Sequence, residues 1–190
     1  TLIGLTFQLL YDSKIRYLLP KYIAAANQGD FTAFDRIREA ILIRQKYSSR
    51  GMMFSVQCHE EIAFSSLDDF QKEAAKYPEL VSFYQQSILG MLTYRVCESW
   101  GAGAAAESAN QPVYSDIPTL LFSGEFDPIT PPSWGAHTAS TLENAYHYEF
   151  PGVGHGASAL SGCPRQMMVE FLRNPVSPPD DACIASLLDP

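Results

Sequence analysis

Long hydrophobic runs are missing: no apolar stretch in the 190 residues approaches the roughly 20 that a membrane-spanning helix requires. The apolar opening, TLIGLTFQLL at 1–10, carries neither the basic leader nor the cleavage site of a signal peptide. Positive charge is scarce. With 13 basic against 21 acidic residues the formal charge is -8 and no basic patch interrupts it, so no nucleic-acid partner is expected. Cysteine is scarce too, and none of the four stands in the close CxxC spacing of a zinc site. No internal repeat and no block of like charge occurs. The overall balance, 46% hydrophobic and 18% charged residues, describes a globular chain able to form a core.

Cys58, Cys97, Cys163 and Cys183 can pair in three ways. The economical pairing joins neighbours in sequence, Cys58 with Cys97 and Cys163 with Cys183. The second bridge would tie down a tail that is rich in proline (Pro175, Pro178, Pro179) and has little core of its own. Closing a loop of that length contributes about 3 kcal/mol in the chain-entropy model. Four buried free thiols, as a reducing compartment would impose, are the other reading.

The first half reads as helical. Ile15, Leu18, Leu19, Tyr22 and Ile23 recur at helical spacing, with Pro20 expected to kink or interrupt the segment. Gly29 and Asp30 close it and cap a second helix to about Tyr47, whose apolar stripe includes Phe34, Ile37 and Ile41. MMFSVQC at 52–58 has strand character. SLDD at 66–69 resembles a capping box opening a helix to about Lys76, and Pro78 suits the first turn of another that runs to about Cys97. The small-residue stretch 101–110 is loop-like and marks the boundary between a mainly helical region, 1–110, and a second region, 111–190. In that second region the pattern becomes strand (118–123), helix (about 132–142), strand (146–150), loop and helix (about 164–173), which argues for an α/β fold with a parallel sheet.

Two motifs carry chemistry. PTLLFSG at 118–124 leads into EFDP at 125–128, and the second strand leads into PGVGHG at 151–156. Both Asp127 and His155 therefore stand just past the carboxyl ends of strands, where an open parallel sheet gathers its ligands and catalytic groups. An acid followed by a histidine in this order suits a hydrolytic triad: the carboxylate orients the imidazole, which takes a proton from a serine and returns it to the leaving group. Gly152, Gly154 and Gly156 leave the backbone around the histidine free to bend. The plainer alternative makes Asp127 a helix cap and His155 a surface loop residue.

These residues resemble the C-terminal half of an α/β-hydrolase. Within that superfamily the chain is similar to the secreted tripeptidyl-aminopeptidase-like and prolyl-aminopeptidase-like serine peptidases. The likeness is strong over 115–185 and loose over 1–110, where Gln57-Cys58 and CESW at 97–100 resemble the family's cysteine-bearing cap and Cys163 and Cys183 its C-terminal pair. It implies a partial α/β-hydrolase fold: the last sheet strands with flanking helices, plus a mainly helical cap. In that fold the serine precedes the acid and the histidine, in a Gly-x-Ser-x-Gly turn. No such motif occurs in residues 1–190. Ser123, inside a strand, and Ser158, just past His155, are both misplaced for the role. The resemblance puts the nucleophile before residue 1, with an N-terminal hydrolase segment or self-association completing the sheet.

The implied activity is that of a secreted or cell-envelope serine hydrolase without metal or organic cofactor, an aminopeptidase acting on short peptides. An esterase acting on small esters or amides, or a non-catalytic binding fragment, are the alternatives. In the aminopeptidase relatives acidic cap residues receive the free amino terminus of the substrate, and Glu60 and Glu61 in the cluster HEE at 59–61 are the candidates here. A solvated acidic turn is the plainer reading of the same residues.

Overall fold

The computed structural model describes residues 2–11, 15–87 and 90–187. In chain order the elements are α1 (Leu2–Leu10), α2 (Leu19–Asn27), α3 (Thr32–Gln45), α4 (Arg50–Val56), α5 (Leu67–Ala74), α6 (Val81–Gln86), α7 (Met91–Trp100), β1 (Thr119–Gly124), α8 (Pro132–Ala139), β2 (Ala145–Phe150), α9 (Cys163–Arg173) and α10 (Ala182–Ala185). They divide into two compact units, one of residues 1–5 and 30–111, the other of residues 6–29 and 112–190.

The first unit is helical and packs around α7, which contacts α4, α5 and α6. Asp30 opens it by accepting the Thr32 N–H at 3.0 Å, as the Gly29-Asp30 pair predicts. Phe34 is the buried anchor of α3, with Ile37 and Ile41 half-buried beside it. Segment 52–58 is not a strand. Ser49 accepts the Met52 N–H and starts α4, which continues into a π-helical turn, Gln57–Glu61, pinned to α7 by the Cys58–Cys97 disulfide. A short apolar run has no period long enough to separate the two conformations, and the cap decides. Ser66 accepts the Asp69 N–H at 3.0 Å and donates its hydroxyl to the Asp69 carboxylate, so Ser66 is the N-cap of α5.

The helix expected from Pro78 to about Cys97 is divided. A 3₁₀ turn, Pro78–Leu80, leads into α6, Ser87 is extended, residues 88–89 lie outside the described residues, and α7 begins after Gly90. A Cβ on Gly90 would stand 2.2 Å from the Tyr84 carbonyl oxygen, so the close approach that separates the two helices needs glycine there. Phe70 packs between Tyr84 and Tyr94, at 5.7 and 5.5 Å between ring centroids, making these aromatics part of the unit's interior.

The second unit is α/β. Pro20 sits in the first turn of α2 after a 3₁₀ turn, Arg16–Leu18, so it begins that helix instead of kinking it. β1 and β2 pair in parallel, with Thr119 opposite Ala145 and Gly124 opposite Phe150, and α8 is the crossover between them. Alternation along the strands sends Ser123 and His147 to one face, beneath α8, and Phe122, Tyr148 and Phe150 to the other. There they form a core with Val153, Ala157, Cys163 and Met167, closed over by α9. The Cys163–Cys183 bridge, with 5.5 Å between Cα atoms, fastens the proline-rich tail to α9. The neighbour pairing of the cysteines is thus the one present.

Unfolding experiments test two of these constraints. Replacing Cys163 and Cys183 by serine lowers unfolding stability by about 3 kcal/mol, seen as a lower urea midpoint. Gly135 of α8 rests on the hydrogen-bonded pair of buried Ser123 and half-buried His147, and an added Cβ would lie 2.5 Å from both side chains. Gly135→Ala is expected to cost about 1–3 kcal/mol by overpacking, measured by the same titration.

Candidate active site

The acid and histidine loops are built as one piece. Gly124 ends β1, and a Cβ there would lie 2.1 Å from the Gly154 carbonyl oxygen, so the two strand ends touch through bare backbone. Glu125 N–H donates to the Phe150 carbonyl at 3.1 Å, and Phe126 N–H donates to that of Val153 at 2.9 Å. The Gly152 N–H donates to the Glu125 carboxylate at 2.7 Å. Gly152 and Gly156 have φ of 71° and 79°, the left-handed conformation that lets the loop turn twice within five residues and carry His155 back over the acid.

Asp127 is buried, with 3% of its side chain exposed, against 37% for His155. Its Oδ1 accepts the Ile129 and Thr130 N–H groups at 2.8 and 2.9 Å, and its Oδ2 accepts the Thr130 hydroxyl at 2.7 Å. His155 Nδ1 lies 2.9 and 3.0 Å from the two carboxylate oxygens. Burial by itself pushes the Asp127 carboxyl up, but the Thr130 and Ile129 amides, the Thr130 hydroxyl and His155 together outweigh it and hold the group below its ordinary value. Asp127 is therefore ionised at neutral pH, and Nδ1 of His155 donates to it. Nε2 then carries the lone pair, and no hydrogen-bond partner occupies it among the described residues. This arrangement can accept a proton at Nε2 and hold the resulting imidazolium beside a charge.

Asp127 and His155 are thus brought together, on successive parallel strands. Asp127 also closes the 127–130 turn ahead of α8, whose N-cap is Pro131 without a side-chain bond, so turn closure and imidazole partner are the roles of this carboxylate. Ser123 bonds His147 at 2.9 Å under α8, away from this pair, and Ser158 is exposed on a 3₁₀ turn. Glu60 and Glu61 belong to the first unit, both exposed on the π-helical turn beside Cys58. His59 next to them bonds the Ala102 carbonyl through Nδ1 at 3.2 Å and holds the 101–105 loop. Among the described residues no group of three His, Cys, Asp or Glu side chains could hold a metal ion.

Three participants escape the sequence reading. Thr130, three residues after the acid, has the spacing of a side-chain cap and could have been found by it. Tyr11 presents its ring edge to His155, 5.2 Å between centroids, and the Arg16 guanidinium lies 4.6 Å from the centre of the Phe126 ring. Both come from over 100 residues upstream, with no local pattern to announce them.

A parallel βαβ unit with an acid and a histidine past its strand ends is compatible with a partial α/β-hydrolase fold. Residues 85–183, just over half of the chain, match the family described as TAP-like protein, and the chain belongs to that family. No curated protein and no solved structure matches the chain.

The charge on Asp127 has a testable pH signature. Its folded-state pKa is depressed, so its contribution is present above the unfolded value of about 4 and is lost as the pH falls through the folded one. Asp127→Asn is expected to unfold more readily than the parent chain at neutral pH, with the gap closing below about pH 4 in urea titrations run across that range.

Proposed function

We propose that the chain is the C-terminal part of a serine hydrolase, an aminopeptidase that acts on short peptides, and that its nucleophile is carried by polypeptide outside these 190 residues. The observation that carries this reading is the His155 imidazole, bound at Nδ1 to an ionised, buried Asp127 and open at Nε2. Asp127 fixes the tautomer and stabilises the imidazolium. His155 takes the proton of the incoming serine hydroxyl, then delivers it to the amine that leaves as the acyl-enzyme forms. In the second half it takes a proton from water and returns it to the serine.

The sheet supports an absent neighbour. Among the described residues β1 pairs on one side only, although TLLF at 119–122 is the uninterrupted apolar run of an interior strand, and Leu120, Leu121 and Phe122 are only half-buried. Just before β1, Val113, Tyr114 and Ile117 are 68, 79 and 67% exposed. A further strand bearing the nucleophile turn would pair with the open edge and cover this segment. The first unit acts as the cap in this reading, and exposed Glu60 and Glu61 receive the substrate's ammonium group. Two disulfides suit an enzyme that works outside the cytoplasm.

Intact mass before and after a fluorophosphonate probe tests the division of labour. A longer or co-purifying chain gains the probe mass and the 190-residue chain gains none. In the unmodified enzyme that contains the labelling chain, His155→Ala lowers turnover of an aminoacyl anilide by at least about 10³-fold. Labelling of the isolated chain, or turnover that survives the substitution, overturns the proposal. A rate on simple acyl esters that exceeds the anilide rate and is indifferent to Glu60→Gln and Glu61→Gln would replace the aminopeptidase by an esterase.

A further inference from the structure

We infer that Arg16 is a positioning residue for His155, a clamp that holds the histidine loop against the acid loop. This rests on the reading of Asp127 and His155 as the hydrolytic pair. The Arg16 Nε–H donates to the Gly152 carbonyl, and the same guanidinium lies over the ring of Phe126, 4.6 Å from its centre. Gly152 is three residues before His155, and Phe126 directly precedes Asp127. One planar cation thus engages the loops that carry both members of the pair, using its edge for one and its face for the other.

The Gly152 peptide is gripped from both ends. Its N–H goes to the Glu125 carboxylate and its carbonyl to Arg16. Beside these two anchors, the acid and histidine loops share the backbone bonds from Glu125 and Phe126 to the Phe150 and Val153 carbonyls. Removing the Arg16 donor frees the Gly152 carbonyl, and rotation about that left-handed glycine swings the imidazole relative to the carboxylate. Near-attack geometry is sensitive to displacements of about 1 Å, which cost on the order of 100-fold. Arg16 touches neither Asp127 nor His155 by hydrogen bond, so its effect falls on rate through orientation.

The complete enzyme, containing this chain and the nucleophile, is the material for the test. Arg16→Met keeps an unbranched flexible side chain and removes the guanidinium with its donor. It is expected to lower kcat for an aminoacyl anilide about 30-fold while KM moves less than threefold. In the proton NMR spectrum the downfield Nδ1–H resonance of His155 should broaden or vanish, and Arg16→Lys, which restores a donor, should recover at least a third of the lost rate on a logarithmic scale. If Arg16→Met does not fold by circular dichroism, Arg16→Leu, which also lacks a donor, is read against the same thresholds. A kcat within threefold of the parent enzyme with the resonance intact overturns the inference, as does an equal loss in Arg16→Lys and Arg16→Met. His155→Ala run alongside separates the two levels: if it too leaves turnover intact, the hydrolytic pair itself is wrong, whereas loss there with no effect at Arg16 removes only the clamp.

Discussion

A carboxylate with 3% of its side chain exposed must replace the water it has lost, and Asp127 does so with donors drawn from two loops: two backbone amides and a hydroxyl from 129–130, and an imidazole from 155. Leaving such a charge short of partners costs several kcal/mol, so the surrounding geometry is dictated by the need to deliver them. The 127–130 turn must curl back on the carboxylate just ahead of α8. The 151–156 loop must return over the end of β1, which requires bare backbone at Gly124 and left-handed turns at Gly152 and Gly156, while Gly154 is bare where the Leu10 and Tyr11 carbonyls approach it. The sheet register is tied to the same need, since the two strand ends have to finish level for the loops to meet, as Gly124 opposite Phe150 does.

The second unit was largely legible because its signals are local and agree with one another. An apolar run of strand length, a turn, a proline-started helix and a second strand can be assembled only as a parallel pair with a crossover, and the acid and histidine fall at equivalent strand ends. In the helical unit the signals were weaker or non-local. The run 52–58 is too short for its periodicity to be read, and Ser49, three residues upstream, decides it. The break before α7 depends on Tyr84 approaching Gly90, which no single-residue preference records. Arg16 and Tyr11 reach the site from a segment whose own pattern says only that it is helical.

The disulfides divide in the same way as the fold. Cys58–Cys97 lies within the first unit and joins a π-helical turn to α7, the helix that the other elements pack around. Cys163–Cys183 lies within the second and gives a proline-rich tail a place against α9 that its own apolar content would not secure. Each bridge therefore supplies what burial does not: the first orders a short segment with one buried residue, Cys58, and the second orders a tail with almost no core.

The same unit holds a second histidine bonded to an oxygen, and the contrast between the two separates packing from chemistry. His147 Nε2 meets the Ser123 hydroxyl at 2.9 Å, the contact expected of a nucleophile and its base. Yet Ser123 is 5% exposed and roofed by Gly135, so no substrate carbonyl can approach its oxygen. No carboxylate bonds the other ring nitrogen of His147 among the described residues, so nothing there would stabilise an imidazolium. A hydroxyl–imidazole bond under a helix satisfies two polar groups that burial would otherwise leave wanting, and that need explains it fully. His155 has the opposite inventory: an ionised acid at one nitrogen, an open second nitrogen, and a loop whose glycines and anchors serve its placement. What distinguishes the working histidine is the combination of a buried charge behind it and accessible space in front, not the presence of a serine within reach.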